Sequence, residues 1–261
     1  MSAYGTIPRP AGVIPQLNPL TFAVTRKGSQ SPMGFVTVVP VKRSTVPDAL
    51  FEHLHMLFNG VVEEGRTYPQ EFELTEQSFE DYYFSYDCFI GVLDKGFAPT
   101  RTDGSYWDPK AEAWIRTDAE TIDDIVGKDV KDYKELVVGM YYVKPNYPGR
   151  SSHCCNGGFI VDPYHRGAGY GYLLGMSYLY FAPRLGYLAS VFNLVYSNNV
   201  ASLKIWDKLG FTRAGLIPKA GRLRKNGDDG EEFVDAVVFW KSLVEDDVWT
   251  KRLARTEGAQ A

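Results

Sequence analysis

A chain of 261 residues is long enough to bury a sizeable core, in one large domain or two small ones. Its 44% apolar and 23% charged residues are ordinary for a soluble globular protein, and a formal net charge of −4 with pI near 5.6 argues against nucleic acid or an anionic membrane as main partner. No apolar run approaches the ~20 residues of a membrane span, and Cys88, Cys154 and Cys155, without metal-ligand spacing, read as reduced thiols and predict no metal site.

Residues 1–19, rich in Pro and Gly, read as a flexible arm. The arm lacks the apolar core of a secretory signal, and prolines at 8, 10, 15 and 19 spoil an amphipathic transit helix, so the cytoplasm is the expected location. One folded domain is expected over 20–241. Residues 20–24 and 36–41 pattern as a first pair of strands. Pro47-Asp48 open a helix with Leu50, Phe51, Leu54, Leu57, Phe58 and Val61 as its apolar positions, and it stops near Gly65. After the loop 65–70, a second helix is predicted over 75–86. It carries Phe79, Tyr82, Tyr83, Phe84 and Tyr86, rings that suit a core, with one or two left over to line a pocket.

Residues 88–93 pattern as a buried strand. From 94 to 135 the chain turns polar and turn-rich, then acidic, which reads as a surface insertion whose Trp107 and Trp114 could pack down as a flap. Strands are predicted at 136–143 and 153–161. Asp162-Pro163 break the second of these, and Arg166-Gly167-Ala168-Gly169-Tyr170-Gly171 follow. Tyr170, Leu173, Leu174, Ser177, Tyr178 and Phe181 then recur at helical spacing.

Strand, glycine-rich turn and helix start together form a device for holding phosphate, although glycines at such a turn can also serve close packing alone. Small residues let the backbone close on the ligand, and unpaired amides at the helix start face its negative charge. The spacing R-x-x-G-x-G is not the G-x-x-x-x-G-K-[ST] of nucleotide-hydrolysing loops, nor the G-x-G-x-x-G of dinucleotide binders. Beyond it, a strand at 188–196, a helix at 200–209 closed by Gly210, a strand at 211–217 and a last strand at 233–240 are predicted, with a charged tail over 242–261. Strands that pair before the loop and two βα units after it predict a mixed α/β sheet.

The R-x-x-G-x-G turn resembles the acyl-CoA pyrophosphate loop of the GCN5-related N-acetyltransferases (GNAT). A second segment, N-V-A-S-L-K-I-W-D-K-L-G-F at 199–211, is similar to that family's other cofactor segment, in which an Asn opens a helix ending in L-G-F. The resemblance implies a GNAT fold whose loop-bearing strand and the next splay apart to admit the thioester, with acetyl-CoA as co-substrate. It assigns Arg166, Gly167, Ala168, Gly169 and Gly171 to the pyrophosphate, Asn199 and Ser202 to the pantetheine arm, and the amides of Phe159 and Val161 to the thioester carbonyl. Asn199 is also a good helix N-cap, a role that uses different atoms and can coexist.

A narrower resemblance rests on residues 141–147, 155–156, 192–195 and 204–209, with 65–70 and 183–187. These look like fungal acetyltransferases that N-acetylate azetidine-2-carboxylate and related proline analogues. It implies that Asn156 and Asn193 hold the acceptor's amine and carboxylate. An amide side chain can accept an amine N–H and donate to a carboxylate with no charge to desolvate. The same two residues could instead satisfy backbone groups where the strands part.

Trp206 stands where many relatives carry a Tyr acid, and an indole N–H does no acid catalysis at neutral pH. His153 and His165 read as satisfied loop histidines. The expectation is direct acetyl transfer, in a ternary complex, to a small-molecule amine, without nucleic acid or membrane as partner; a homodimer is compatible with the resemblance. Another amine (a polyamine, drug or peptide terminus) or a non-catalytic acyl-CoA-binding regulatory module are the alternatives.

Overall fold

The computed structural model describes residues 17–24, 34–96, 106–108, 111–227 and 230–249. Most of the expected N-terminal arm and of the C-terminal tail, and the Trp107 side chain, lie outside the described residues.

One mixed sheet runs from Leu20 to Ser242. Its strands are β1 (Leu20–Val24), β2 (Gly34–Val41), β3 (Asp87–Asp94), β4 (Tyr106–Asp108), β5 (Ala111–Ile115), β6 (Val137–Pro145), β7 (Cys154–Val161), β8 (Ala189–Tyr196), β9 (Thr212–Arg224) and β10 (Glu231–Ser242). Their order across the sheet is β4-β5-β1-β2-β3-β6-β7-β8-β10-β9. Among the described residues, only the β7–β8 pair is parallel.

Alternation along the strands gives the sheet two apolar faces, each covered by helices. On the front, α1 (Asp48–Glu64) and α2 (Glu76–Tyr83) bury Leu50, Leu54, Phe58, Phe79 and Tyr83 against Ile90, Val92, Met140 and Tyr142. On the back, α4 (Tyr170–Arg184) and α5 (Val200–Lys208) bury Leu174, Tyr178, Phe181 and Trp206 against Phe89, Tyr141, Phe192 and Phe239. α1 matches its predicted start and apolar face, and it stops because Gly65 adopts a left-handed cap with φ 66°. α2 begins at its Thr75 cap, whose hydroxyl accepts from the Ser78 amide, but ends at Tyr83 and not Tyr86. Pairing of Asp87 with Val143 of β6 draws the chain into β3 before the aromatic run is spent.

The polar segment after β3 does more than sit on the surface. β5 pairs with β1, Phe22 opposite Ala113, and the short helix α3 (Ile122–Val126) buries Ile122. Trp114 meets Phe35 edge-on at 5.9 Å between ring centroids. A buried polar chain secures this edge. Thr21 and Thr37 share a hydroxyl hydrogen bond of 2.6 Å, Thr37 donates to Asp94 at 2.9 Å, and Arg116 donates to both Asp94 and Asp118.

Candidate active site

β7 and β8 pair at only two positions, Cys154 with Ala189 and Cys155 with Ser190, after which β8 leaves β7 while staying paired with β10 on its other edge. The hydrogen-bond parity of β7 decides what lines the resulting gap. The Asp162 amide donates to the Val138 carbonyl and the Asn146 amide to the Cys154 carbonyl, so the even-numbered residues of β7 bond to β6. The amides of Gly157, Phe159 and Val161 therefore face β8 across the gap. The Gly157 amide is taken by the side-chain carbonyl of Asn156 at 2.8 Å. Behind the gap, Phe159 packs against Trp206 and Phe192, with centroids 4.9 and 5.9 Å away. Trp206 is 4% exposed, and its indole serves this packing.

At the outer end of the gap, the glycine turn leads into α4. Gly167 and Gly169 hold φ of 82° and 89°, a left-handed backbone that favours glycine. A Cβ on Gly171 would come within 3.0 Å of Ile205 on α5, so the two helices meet closely there. Among the described residues, no backbone carbonyl accepts from the amides of residues 167 to 171, and no side chain caps α4. Arg166 holds Glu64, at the end of α1, through two bonds of 2.9 and 3.2 Å. Asn199 caps α5, its carbonyl accepting from the Ser202 amide at 3.1 Å. Arg166, Asn199, Val200, Ala201, Arg66 and Thr67 line one cleft of about 360 Å³. Arg166 and Asn199, one from each of the two segments assigned to the cofactor, thus border a single space, with Glu64 beside them. A larger cavity of about 490 Å³, lined by His53, Met56, Lys134 and Tyr164, contains none of them.

Cationic side chain, free amides and glycine cradle fit an anionic diphosphate at one end, and the β7 amides fit an extended amide-bearing arm at the other. Residues 75–211, slightly over half of the chain, match the model of the acetyltransferase (GNAT) family. The chain belongs to this family.

The same fold appears in a GCN5-related N-acetyltransferase from Kribbella flavida, with TM-score 0.56 and 22% identity over 79% of this chain and 97% of that one. It appears again in a GNAT phosphinothricin acetyltransferase from Sinorhizobium meliloti solved with acetyl-CoA, with TM-score 0.55 and 14% identity over 79% of this chain and 88% of that one. Among curated proteins, the chain is 40% identical over 192 residues to the N-acetyltransferase aca1 of Schizosaccharomyces pombe, spanning 74% of this chain and 79% of that protein. It is 29% identical over 196 residues to Protein SPT10 of Saccharomyces cerevisiae, spanning 71% of this chain but 31% of that one. This GNAT protein is an acetyl-CoA-dependent N-acetyltransferase.

A polar cluster stands on the front face where β7 and β8 part. The Asn193 carbonyl accepts from the Asn146 amide nitrogen and from the Tyr147 hydroxyl, each at 3.1 Å. Its own amide nitrogen donates back to the Asn146 carbonyl at 2.6 Å. Asn156 lies beside them on β7, with Gly158 two residues on. A Cβ on Gly158 would lie 2.6 Å from the Tyr68 hydroxyl and 2.6 Å from the Tyr142 ring, so the backbone there is open only because the residue is glycine. The Tyr83 hydroxyl donates to the Gly158 carbonyl at 3.0 Å, and the Tyr82 and Tyr142 hydroxyls bond each other at 3.2 Å. Burial raises the Tyr68, Tyr83 and Tyr142 phenols well above their ordinary range, so they remain protonated donors. The Tyr68 hydroxyl is enclosed beside Tyr83 without a hydrogen bond of good geometry.

Sequence reasoning placed Asn156 and Asn193 at this gap but missed Asn146, Tyr147, Tyr68 and Lys144. Alternation along β6 was the available signal, because it puts Tyr142 and Lys144 on one face, level with Asn156. Burial pushes the Cys155 thiol up to about 12, and its sulfur lies 3.0 Å from the Tyr178 hydroxyl on the back face. His153 bonds the Arg150 carbonyl at 3.0 Å and meets the Trp249 ring, away from the gap.

Proposed function

We propose that this N-acetyltransferase acetylates the amine of a small amino or imino acid of the proline-analogue type, such as azetidine-2-carboxylate, by direct attack in a ternary complex. The observation that carries this reading is the amide and phenol cluster of Asn146, Tyr147, Asn156, Asn193 and Tyr68 at the mouth of the gap. None of its members is a carboxylate. It suits an acceptor carrying both an amine and an anion and offers nothing to a polycation.

Bound acetyl-CoA supplies a thioester carbonyl open to nucleophilic attack. The Phe159 and Val161 amides, freed by the parting of β8, donate to that carbonyl and to the pantetheine amides. Gly167, Ala168, Gly169 and Gly171 offer backbone amides to the diphosphate, Arg166 adds charge, and Asn199 with Ser202 holds the arm where α5 begins. A proline-type amine is almost wholly protonated at pH 7 and must react as its neutral fraction. Asn156 and Asn193 orient it, and its proton leaves through water, since the buried phenols are already protonated. Cytoplasmic location and homodimerisation belong to the same proposal; light scattering in solution tests the second.

Thiol release from acetyl-CoA decides the acceptor. Azetidine-2-carboxylate or cis-4-hydroxyproline should accelerate release, while a polyamine should match the no-acceptor control. Acceleration by the polyamine alone would remove the proline-analogue reading.

A further inference from the structure

Lys144 is paired across the sheet with Asn156, the first residue of β7 beyond the last β8 contact. Its ammonium lies 4.5 Å from the centre of the Tyr142 ring and 4.8 Å from that of Tyr82. Two aromatic faces offset part of the cost of holding a cation there. Burial nevertheless pulls the ammonium's pKa down, and among the described residues no carboxylate pairs with it. An exposed lysine extends into water at little cost. This one is held half-buried between two rings, beside the gap and without an anion.

We propose that Lys144 binds the carboxylate of the acceptor, anchoring it so that the amine lies against Asn156 and Asn193 at the parting of β7 and β8. The anchor rests on the amino- or imino-acid reading above, and it makes the anion itself a requirement. An ammonium between aromatic rings gives a carboxylate a charge-assisted hydrogen bond where water is partly excluded, and it repels a polyamine. The bonded pair of Tyr82 and Tyr142 hydroxyls, which flanks the same side chain, adds one neutral donor. No covalent step is involved; Lys144 sets specificity and position.

The test compares each amino-acid acceptor with its carboxamide, in which the amine is kept and the anion removed. The wild-type enzyme should favour azetidine-2-carboxylate over azetidine-2-carboxamide in kcat/KM. In Lys144→Met that preference should fall about 10- to 100-fold, mainly through KM for the acceptor, and Lys144→Arg should recover part of it. An unchanged ratio in a folded Lys144→Met variant overturns the proposal. If no cyclic imino acid is a substrate, the same pairs are run for acyclic amino acids. A Lys144-dependent carboxylate preference there would leave the anchor standing while the proline-analogue reading falls.

A second measurement does not need turnover. NMR of ¹³C-labelled lysines in the CoA-loaded enzyme, with the Lys144 signal assigned by its loss in Lys144→Met, follows its titration directly. Addition of azetidine-2-carboxylate, L-proline or glycine should move that titration to higher pH, and the carboxamides should not. A Lys144 titration unmoved by every carboxylate overturns the proposal.

Discussion

Asn193 shows how much of a side chain's behaviour is set by its neighbours. Both of its amide atoms are engaged by Asn146, and Tyr147 adds a third bond, so its orientation is fixed before any acceptor arrives. The Tyr147 bond and the second lone pair of the Asn146 carbonyl can still be exchanged for an amine. Asn193→Ala should lower turnover on the order of 10²-fold with acetyl-CoA KM little changed, measured by thiol release. A loss below about threefold would leave Asn193 as a structural residue of the strand junction. Tyr68 makes the complementary case. A buried hydroxyl without a partner costs stability, so Tyr68→Phe should leave the fold as stable or raise its unfolding free energy by up to about 1 kcal/mol in urea. If that hydroxyl meets the acceptor, the same variant loses activity. Stability and activity then move in opposite directions, which a packing role would not produce.

At the scale of elements, the outer edge of the sheet depends on one buried ion pair. Asp94 ends β3, Arg116 follows β5, and the two are 4% and 7% exposed, with the Thr21–Thr37 pair completing the network. Removing Arg116 would leave Asp94 buried and unpaired, so Arg116→Met should destabilise the fold by roughly 3–5 kcal/mol, read from denaturant midpoints. Asp118, whose side chain is 67% exposed, holds the same guanidinium from the solvent side. Asp118→Ala should cost less than about 1 kcal/mol. If both variants behave alike, the network adds nothing beyond a surface pair. Composition hid this edge. The segment is polar because it closes a sheet margin through hydrogen bonds and buried charge, where apolar periodicity carries no signal. α2 illustrates a related limit: its aromatic run continues past Tyr83, and only the pairing of Asp87 with Val143 ends the helix there.

At the scale of the molecule, the cofactor space is bordered by parts far apart in the chain: Arg66 after α1, Arg166 after β7, and Asn199 after β8. A ligand that spans them should stabilise the whole fold. Acetyl-CoA at 100 times its Kd should add about 2.7 kcal/mol to the unfolding free energy and raise Tm in a concentration-dependent way. Gly169→Val, which forces a β-branched side chain into a left-handed backbone, should lose most of that ligand-induced shift. A full shift in this variant would place the diphosphate elsewhere.

The amino-acid sequence alone determined most of the elements and the backbone turn where the cofactor is proposed to bind. Strand alternation, the Gly65 stop, the R-x-x-G-x-G turn and the Asn199 cap are local patterns, and local backbone chemistry writes them directly into residue order. Tertiary structure decided the polar cluster proposed to hold the acceptor. Whether Asn146 reaches Asn193, whether Tyr68 closes over Gly158, and whether Lys144 is left between two rings without an acid depend on β6, β7, β8, α2 and the loop after α1 meeting at the one place where the sheet splits. Those contacts join residues tens of positions apart. No periodicity records them, because they are set by sheet order and by where β8 parts from β7.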